Sequence, residues 1–239
     1  MKTSRFVGLA LVVVALAGCG GFGPNAGSEP GAATIWVTEN RGATLVGQGK
    51  VHAGETLLRG LRSLARVQTR YGGRFVQAVD GVSGDASAHR DWFWFVNGLL
   101  GDTSAAEYRL HAGDIGWWDY RDWGSDVRTE VVVGAFPEPF LHGYDGHVRP
   151  AAVRYAPRLR AGAERIATLI HAVSVAPLRT PAPANANVFE LVTGTHRFTA
   201  ALRTPGSGPT GAVIFVYAGR IGDLLSHGPR PYLRRFSVP

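Results

Sequence analysis

The chain has 239 residues, of which 45% are hydrophobic and 18% are charged, a composition typical of globular proteins. This length provides enough apolar side chains for one large folded domain or two small ones. The formal net charge is +7, but the basic residues form only short clusters and no nucleic-acid-binding motif is present, so we expect no nucleic-acid partner.

The N-terminus has the pattern of an export signal. Lys2 and Arg5 precede the apolar run FVGLALVVVALA, which is too short to span a bilayer as a mature helix. The run ends in LAGC, which resembles the lipobox of bacterial lipoproteins and implies that Cys19 is acylated. We interpret residues 1–19 as a lipoprotein signal peptide ending at the lipobox cysteine. The alternative is an ordinary secretory signal with an incidental cysteine.

The segment that follows indicates where the folded part would stand. Residues 20–32 are rich in Gly, Pro and Ala and are typical of a flexible tether. An acylated cysteine carries more than one lipid chain, enough for stable anchoring. We therefore expect a location on the outer face of the cell membrane, with the membrane as a partner through the lipid anchor.

Residues 33–124 predict an α+β domain in which a helix packs on a mixed sheet. ATIWVTEN and TLVGQGKVHAG predict a β-hairpin, and GETLLRGLRSLARVQTR predicts a helix with Thr56 as its N-cap. The strands RFVQAVDGV and DWFWFVNG follow, the second closing on the turn Asn97-Gly98. AEYRLHAGDIGWWDY supplies the last strands of this domain.

Residues 129–239 predict a second small α/β domain of unknown family. TEVVVGAF predicts a strand, and RAGAERIATLIHAV predicts a helix with Ala163, Ile166, Ala167, Ile170 and Val173 on one stripe. APLRTPAPANAN predicts a loop, and NVFELVTG, RFTAAL and GAVIFVYAG predict strands. The last of these is apolar on both faces, so we expect it to be central and buried.

Four segments carry a resemblance within residues 33–124: GETLLRGL, DWFWFVNG, AEY and HAGDIGWWDY. In this order they resemble the C-terminal domain of transcobalamin and intrinsic factor, and more closely a bacterial family of unassigned function that shares that domain. The resemblance implies a β-grasp fold and cobalamin or another corrinoid as a ligand; no other cofactor is indicated. The chain lacks the α-helical domain that covers the second side of cobalamin in transcobalamin.

The tryptophans raise the main functional question. Side chains alternate along a strand, so Trp92 and Trp94 share one face and Phe93 and Phe95 the other. We expect the Phe pair to face the helix, because phenyl rings need no hydrogen-bond partner, and the Trp pair to lie on the opposite face with Trp117 or Trp118. That face could be covered by the second domain, by a flat ligand or by a partner protein.

A ligand on that face gives the function hypothesis. Trp92, Trp94, Trp117 and Trp118 would form a stacking surface, with Asn97 and Tyr120 as polar contacts. The protein would then bind a small flat ligand and present it to a transporter. The alternative is a cell-envelope interaction or scaffold protein with no small ligand.

Catalytic and metal-binding roles have weaker support. Ser87, His89 and Asp91 are close in sequence, but adjacency in sequence is no evidence for a catalytic triad. HGYDGH, residues 142–147, offers two His and one Asp, fewer than the four ligands of a structural zinc site. Nucleotide-binding glycine motifs are absent. We expect no enzyme activity and no bound metal.

Overall fold

The structure is a computed structural model that describes residues 30–124 and 129–225. Cys19, the predicted signal peptide and most of the predicted tether lie outside these ranges. Within them, no helix combines the length and the apolar character needed to cross a membrane. The described part is an α+β protein in which mixed sheets dominate and helices are few.

The first half contains two sheets and one short helix. Its elements are β1 (Ala32–Glu39), β2 (Thr44–His52), α1 (Leu57–Arg62), β3 (Val67–Arg70), β4 (Phe75–Val79), β5 (Val82–Ser83), β6 (Arg90–Val96), β7 (Leu99–Leu100) and β8 (Ile115–Asp122). The larger sheet has the order β2-β1-β8-β6-β7, and β1 is parallel to β8 while the other pairs are antiparallel. β3, β4 and β5 form a small antiparallel sheet.

Helix α1 begins as predicted and ends early. The Thr56 side chain accepts a hydrogen bond from the Arg59 N–H at 3.2 Å, which confirms the N-cap. The helix ends at Arg62, so the longer predicted helix is wrong. Val67–Arg70 forms β3 instead, since its alternating pattern and β-branched residues suit the edge of the small sheet, where it pairs with β4.

The second half is built on a mostly parallel sheet. Its elements are β9 (Ala151–Tyr155), α2 (Arg160–Leu169), β10 (Ser174–Pro177), β11 (Asn187–Leu191), β12 (Arg197–Leu202), β13 (Val213–Ala218) and α3 (Ile221–Leu225). The order is β10-β9-β11-β13-β12, and only β12 is antiparallel to its neighbour. The predicted buried strand is β13, which is paired on both sides; β9 and β10 were not predicted.

The apolar stripe of α2 is shorter than predicted. Its buried members are Ala163, Ile166, Ala167 and Ile170. Val173 is 71% exposed, so its place on the stripe is wrong. The helix ends at Leu169, and His171 has a positive φ that takes the following residues out of the helical phase.

Residues 129–140 join the two halves and are not the strand predicted from TEVVVGAF. Val131 makes an isolated bridge to Leu99, and residues 133–135 form a 3₁₀ turn. Phe136 then packs against aromatic rings of the second sheet, with centroids 5.4 Å from Phe189 and 6.2 Å from Phe215. The chain therefore leaves the strand conformation where Phe136 packs against the second sheet.

Candidate functional site

The two faces of the larger sheet are populated by alternate residues of β6 and β8. Trp94 is directly opposite Trp118, and Val96 is opposite Gly116, so these four share one face. A Cβ on Gly116 would strike the side chains of Leu57 and Ile35. Leu57 belongs to α1, so this is the face that the helix covers.

The predicted orientation of the aromatic residues is therefore wrong. Trp92 and Trp94 lie on the helix side, and Phe93 and Phe95 lie on the opposite side. The reason is Gly116: its missing side chain leaves room for α1 to approach the sheet closely. The prediction that Trp92 and Trp94 share a face with either Trp117 or Trp118 is confirmed, and that residue is Trp118.

The opposite face is a closed core. Trp117 is 0% exposed, and its indole N–H donates to the Thr38 hydroxyl at 2.7 Å. That hydroxyl donates in turn to the Asp119 carboxylate at 2.6 Å. The guanidinium of Arg121 lies 4.4 Å from the centre of the Phe93 ring and donates to the Thr129 hydroxyl at 2.6 Å. Trp117 thus lies away from the other predicted ligand-binding tryptophans.

Asp119 is the electrostatic centre of that core. Burial raises the pKa of its carboxyl group, and hydrogen bonds from the Thr38 hydroxyl and from the backbone N–H of Gly42 oppose the increase. The N–H of Arg41 also donates to this carboxylate, at 3.0 Å. Asp119 therefore ties β8 to the turn between β1 and β2.

On the helix side, an open cavity of about 340 Å³ borders the tryptophans. Its aromatic wall comes from Trp92, Trp94 and Trp118, and its aliphatic wall from Leu58 and Leu100. The other lining residues are Gly73, Arg74, Phe75, Val76, Asp91, Phe93, Gly101, Thr103, Ala105 and Ala106. Three of the predicted ligand-binding residues therefore meet at one cavity.

Two of these indoles are fixed by their neighbours. Trp92 packs against Tyr120 with ring centroids 5.2 Å apart, and its N–H donates to the Val82 carbonyl at 2.8 Å. The Trp94 ring lies against Gly101, where a Cβ would overlap it, and 5.8 Å from the Tyr108 ring. These contacts hold the aromatic wall in place.

The third indole has an unused donor. Trp118 is 1% exposed, and its Nε1 has no hydrogen-bond acceptor within residues 30–124 and 129–225. An unpaired N–H this deep in a protein is costly, and indole N–H groups usually find a partner when buried. Trp118 therefore combines a place in the wall of the cavity with an indole donor that has no acceptor among the described residues.

The two predicted polar contacts lie elsewhere. Asn97 is fully buried; its amide donates to Asp114 at 2.7 Å and to the Gly143 carbonyl at 2.8 Å, and its oxygen accepts from the Ile115 N–H at 2.8 Å. Tyr120 donates to the Ser83 carbonyl at 3.0 Å. Neither residue lines the cavity, and both support neighbouring elements.

Sequence reasoning missed the charged residues of the cavity. Asp91 lines it, and partial burial raises the pKa of its carboxyl group against a hydrogen bond from the Trp92 N–H. Arg74 also lines it and is paired with Glu107 at 2.7 Å. No local pattern would have brought these residues to the cavity, because Asp91 alternates with Trp92 along β6 and Arg74 lies on a separate segment.

The histidine-containing loop lies where the two halves of the chain meet. Nδ1 of His142 is 2.5 Å from the buried Glu138 carboxylate, and this hydrogen bond raises the pKa of the imidazole. His111 lies 3.4 Å from Asp145. Among the residues that the structure describes, no three His, Cys, Asp or Glu side chains are grouped so that they could hold a metal ion.

Comparison with known proteins assigns no activity. Residues 54–122 match the model of a family described as a domain of unknown function (DUF4430), and this range contains every residue that lines the cavity. No curated protein matches the chain. A crystal structure of a candidate metal-binding protein from Ruminococcus gnavus is similar, with 19% identity over 38% of this chain and 97% of that one. Its TM-score of 0.32 does not establish a shared fold.

Proposed function

We propose that this chain is a lipid-anchored binding protein on the outer face of the cell membrane, and that it holds a small, partly apolar ligand against Trp92, Trp94 and Trp118. The observation that carries this proposal is the open cavity whose wall contains Trp92, Trp94 and Trp118, the last with an unpaired Nε1. A partly apolar ligand would cover these indoles. The proposal assigns no catalytic step to the chain.

The cavity limits the size of what it can enclose. Its volume of about 340 Å³ lies at the low end of the roughly 300–1,000 Å³ that is usual for small-molecule sites. A whole corrinoid exceeds it, so a corrinoid would place only one edge among the tryptophans. The transcobalamin-like motifs support a corrinoid of this kind, and the sequence LAGC supports anchoring through Cys19 and delivery of the ligand to a transporter in the membrane.

The alternative of an envelope scaffold without a ligand has no observation of equal weight. The exposed large hydrophobic residues of the described part form only small groups, for example Leu45 with Val46 on β2 and Tyr71 with Phe75, whose rings are in contact. Small apolar groups of this kind are normal on protein surfaces.

The test is a binding titration with a blocked cavity as control. The chain without residues 1–18 and with Cys19→Ser is titrated calorimetrically with cyanocobalamin and with dicyanocobinamide. Ala106 lines the cavity, so Ala106→Phe should fill it; Ala88 is exposed on another loop, so Ala88→Phe is the matched control.

The expected result is binding at micromolar concentration or tighter for the parent and Ala88→Phe, weakened at least tenfold by Ala106→Phe. Equal binding by all three proteins would place the ligand outside the cavity. Absence of heat with both corrinoids at high protein concentration would remove corrinoids as the ligand class.

A further inference from the structure

The cavity follows an incomplete edge of the larger sheet. Strand β6 pairs with β8 along its whole length, but on its other side β7 covers only Phe95 and Val96. At the start of β6, Arg90 exchanges two backbone hydrogen bonds with Asp85, at 2.8 and 2.9 Å. Between these points no strand of the described ranges pairs with β6, and the cavity is lined there by four consecutive residues, 91–94.

The hydrogen bonds of the flanking residues show which backbone groups face this gap. His89 and Asn97 bond toward β8: the His89 carbonyl accepts from Trp123 at 2.8 Å, and the Asn97 N–H donates to Ile115 at 3.0 Å. Backbone groups alternate along an antiparallel strand. The even-numbered residues Trp92 and Trp94 therefore direct their N–H and C=O groups away from β8, toward the cavity.

Two of these four groups are already used. The Trp92 N–H donates to the Asp91 carboxylate at 2.8 Å, and the Trp94 carbonyl accepts from the Gly101 N–H at 3.2 Å. The Trp92 carbonyl and the Trp94 N–H have no partner in the described ranges of the chain. Edge strands with such open groups are the usual sites at which an extended peptide adds to a sheet.

We propose that the ligand of this cavity is an extended amide, such as a short peptide or an N-acylated amino acid, that pairs with β6. Its N–H donates to the Trp92 carbonyl, and its C=O accepts from the Trp94 N–H. An adjacent apolar side chain lies against Trp92, Trp94 and Leu58, beside the Trp118 ring. This inference rests on the proposed function and gives it a ligand class.

Charge and volume define this ligand further. Arg74 is paired with Glu107, and the Asp91 carboxylate carries a negative charge, so a carboxylate on the ligand would meet a like charge and no unshared cation among the lining residues. The site therefore favours a neutral amide over a free amino acid. A volume of about 340 Å³ suits one or two residues and excludes a long peptide from full enclosure.

The test compares three soluble probes by titration of the chain that lacks residues 1–18 and carries Cys19→Ser. The probes are N-acetyl-L-phenylalanine methylamide, the same compound methylated on both amide nitrogens, and 2-phenylethanol. Calorimetry gives the affinities, and ¹⁵N–¹H spectra follow the Trp94 amide and the Trp118 indole. Ala106→Phe and Ala88→Phe serve as blocked and control proteins, with thermal unfolding to verify that both fold.

The unmethylated amide should bind at least tenfold more tightly than its methylated analogue, because the analogue cannot donate to the Trp92 carbonyl. The Trp94 amide proton should move downfield in the parent and Ala88→Phe, and not in Ala106→Phe. Equal affinities for the amide and its analogue would overturn the amide inference and leave the binding function standing. If none of the three probes binds, the inference is overturned. If the corrinoid titrations also give no heat, the proposed function is overturned as well.

Discussion

Trp117 and Trp118 are neighbours in the sequence and lie in different environments. Trp117 faces the closed core, where its N–H reaches Thr38 at 2.7 Å. Trp118 faces α1 and the cavity, and its N–H has no acceptor among the described residues. The two residues are equally buried, at 0% and 1% exposure, so burial alone does not separate a core indole from a candidate ligand contact. The presence or absence of an acceptor for the indole N–H does separate the two residues.

The same contrast holds for the two faces of the sheet as a whole. The Trp117 face buries charged groups, yet Asp119 receives three hydrogen bonds there. The Trp118 face is almost entirely apolar, but its packing leaves a cavity. A closed face whose central carboxylate is held by hydrogen bonds serves stability, whereas an apolar face that is incompletely filled is available to a ligand.

The largest predicted effect comes from breaking the polar core. Asp119→Ala removes the acceptor for the Thr38 hydroxyl and for the N–H groups of Arg41 and Gly42. Buried donors without partners should lower the free energy of unfolding by about 3–5 kcal/mol, as measured by urea denaturation. Asp119→Asn retains an acceptor oxygen and should lose less stability than Asp119→Ala. Equal stability of Asp119→Ala and the parent would contradict this description of the core.

A second prediction tests the position of α1. Gly116→Ala places a methyl group against Leu57 and Ile35 and should cost about 1–3 kcal/mol through overpacking. Gly47, with open space around it, provides the matched control, and Gly47→Ala should change stability by less than about 0.5 kcal/mol. If Gly116→Ala were tolerated equally well, α1 would not lie on this face.

The adjacent tryptophans provide a paired substitution. Trp117→Phe leaves the packing largely apolar but removes the donor to Thr38, and should destabilise the unliganded protein by about 1–3 kcal/mol. Trp118→Phe removes a donor that is already unpaired, so its loss of stability should be smaller. Ligand affinity should instead decrease more for Trp118→Phe than for Trp117→Phe. A larger stability loss for Trp118→Phe would indicate that its indole is a core residue.

The smallest effect concerns Asp91 and pH. Burial raises the pKa of this carboxyl group, so the folded state takes up the proton more readily than the unfolded state. This contribution to the free energy of unfolding therefore increases as pH falls through the raised pKa and is lost as pH rises. Asp91→Asn removes the charge and should be slightly more stable than the parent at pH 7. As the pH falls, its free energy of unfolding should increase less than that of the parent. Denaturant titrations from pH 4 to 7 measure the difference.

Several features of the fold could be predicted from local patterns. Thr56 starts α1, and Asn97-Gly98 closes the turn between β6 and β7. Strand alternation correctly grouped Trp92 and Trp94 with one of the two later tryptophans. These features depend on residues close in sequence, where chemistry and spacing are sufficient.

The features that failed depend on distant contacts. The choice of face for α1 depends on Gly116, and the loss of the strand predicted from TEVVVGAF depends on Phe136 finding aromatic rings of the second sheet. The open edge of β6 and the unpaired Trp118 N–H arise from the absence of a neighbour. Sequence patterns report residues that are present, so they gave no sign of this gap.

The most direct test of the central claim is a ¹⁵N–¹H spectrum of the six tryptophan indoles during titration with N-acetyl-L-phenylalanine methylamide and, separately, with cyanocobalamin. The account predicts that at least one of these probes shifts the Trp118 signal while Trp117 stays in place, because Trp118 borders the cavity and Trp117 does not. If neither probe moves Trp118, or if Trp117 moves with it to the same extent, the division between a ligand face and a core face is contradicted.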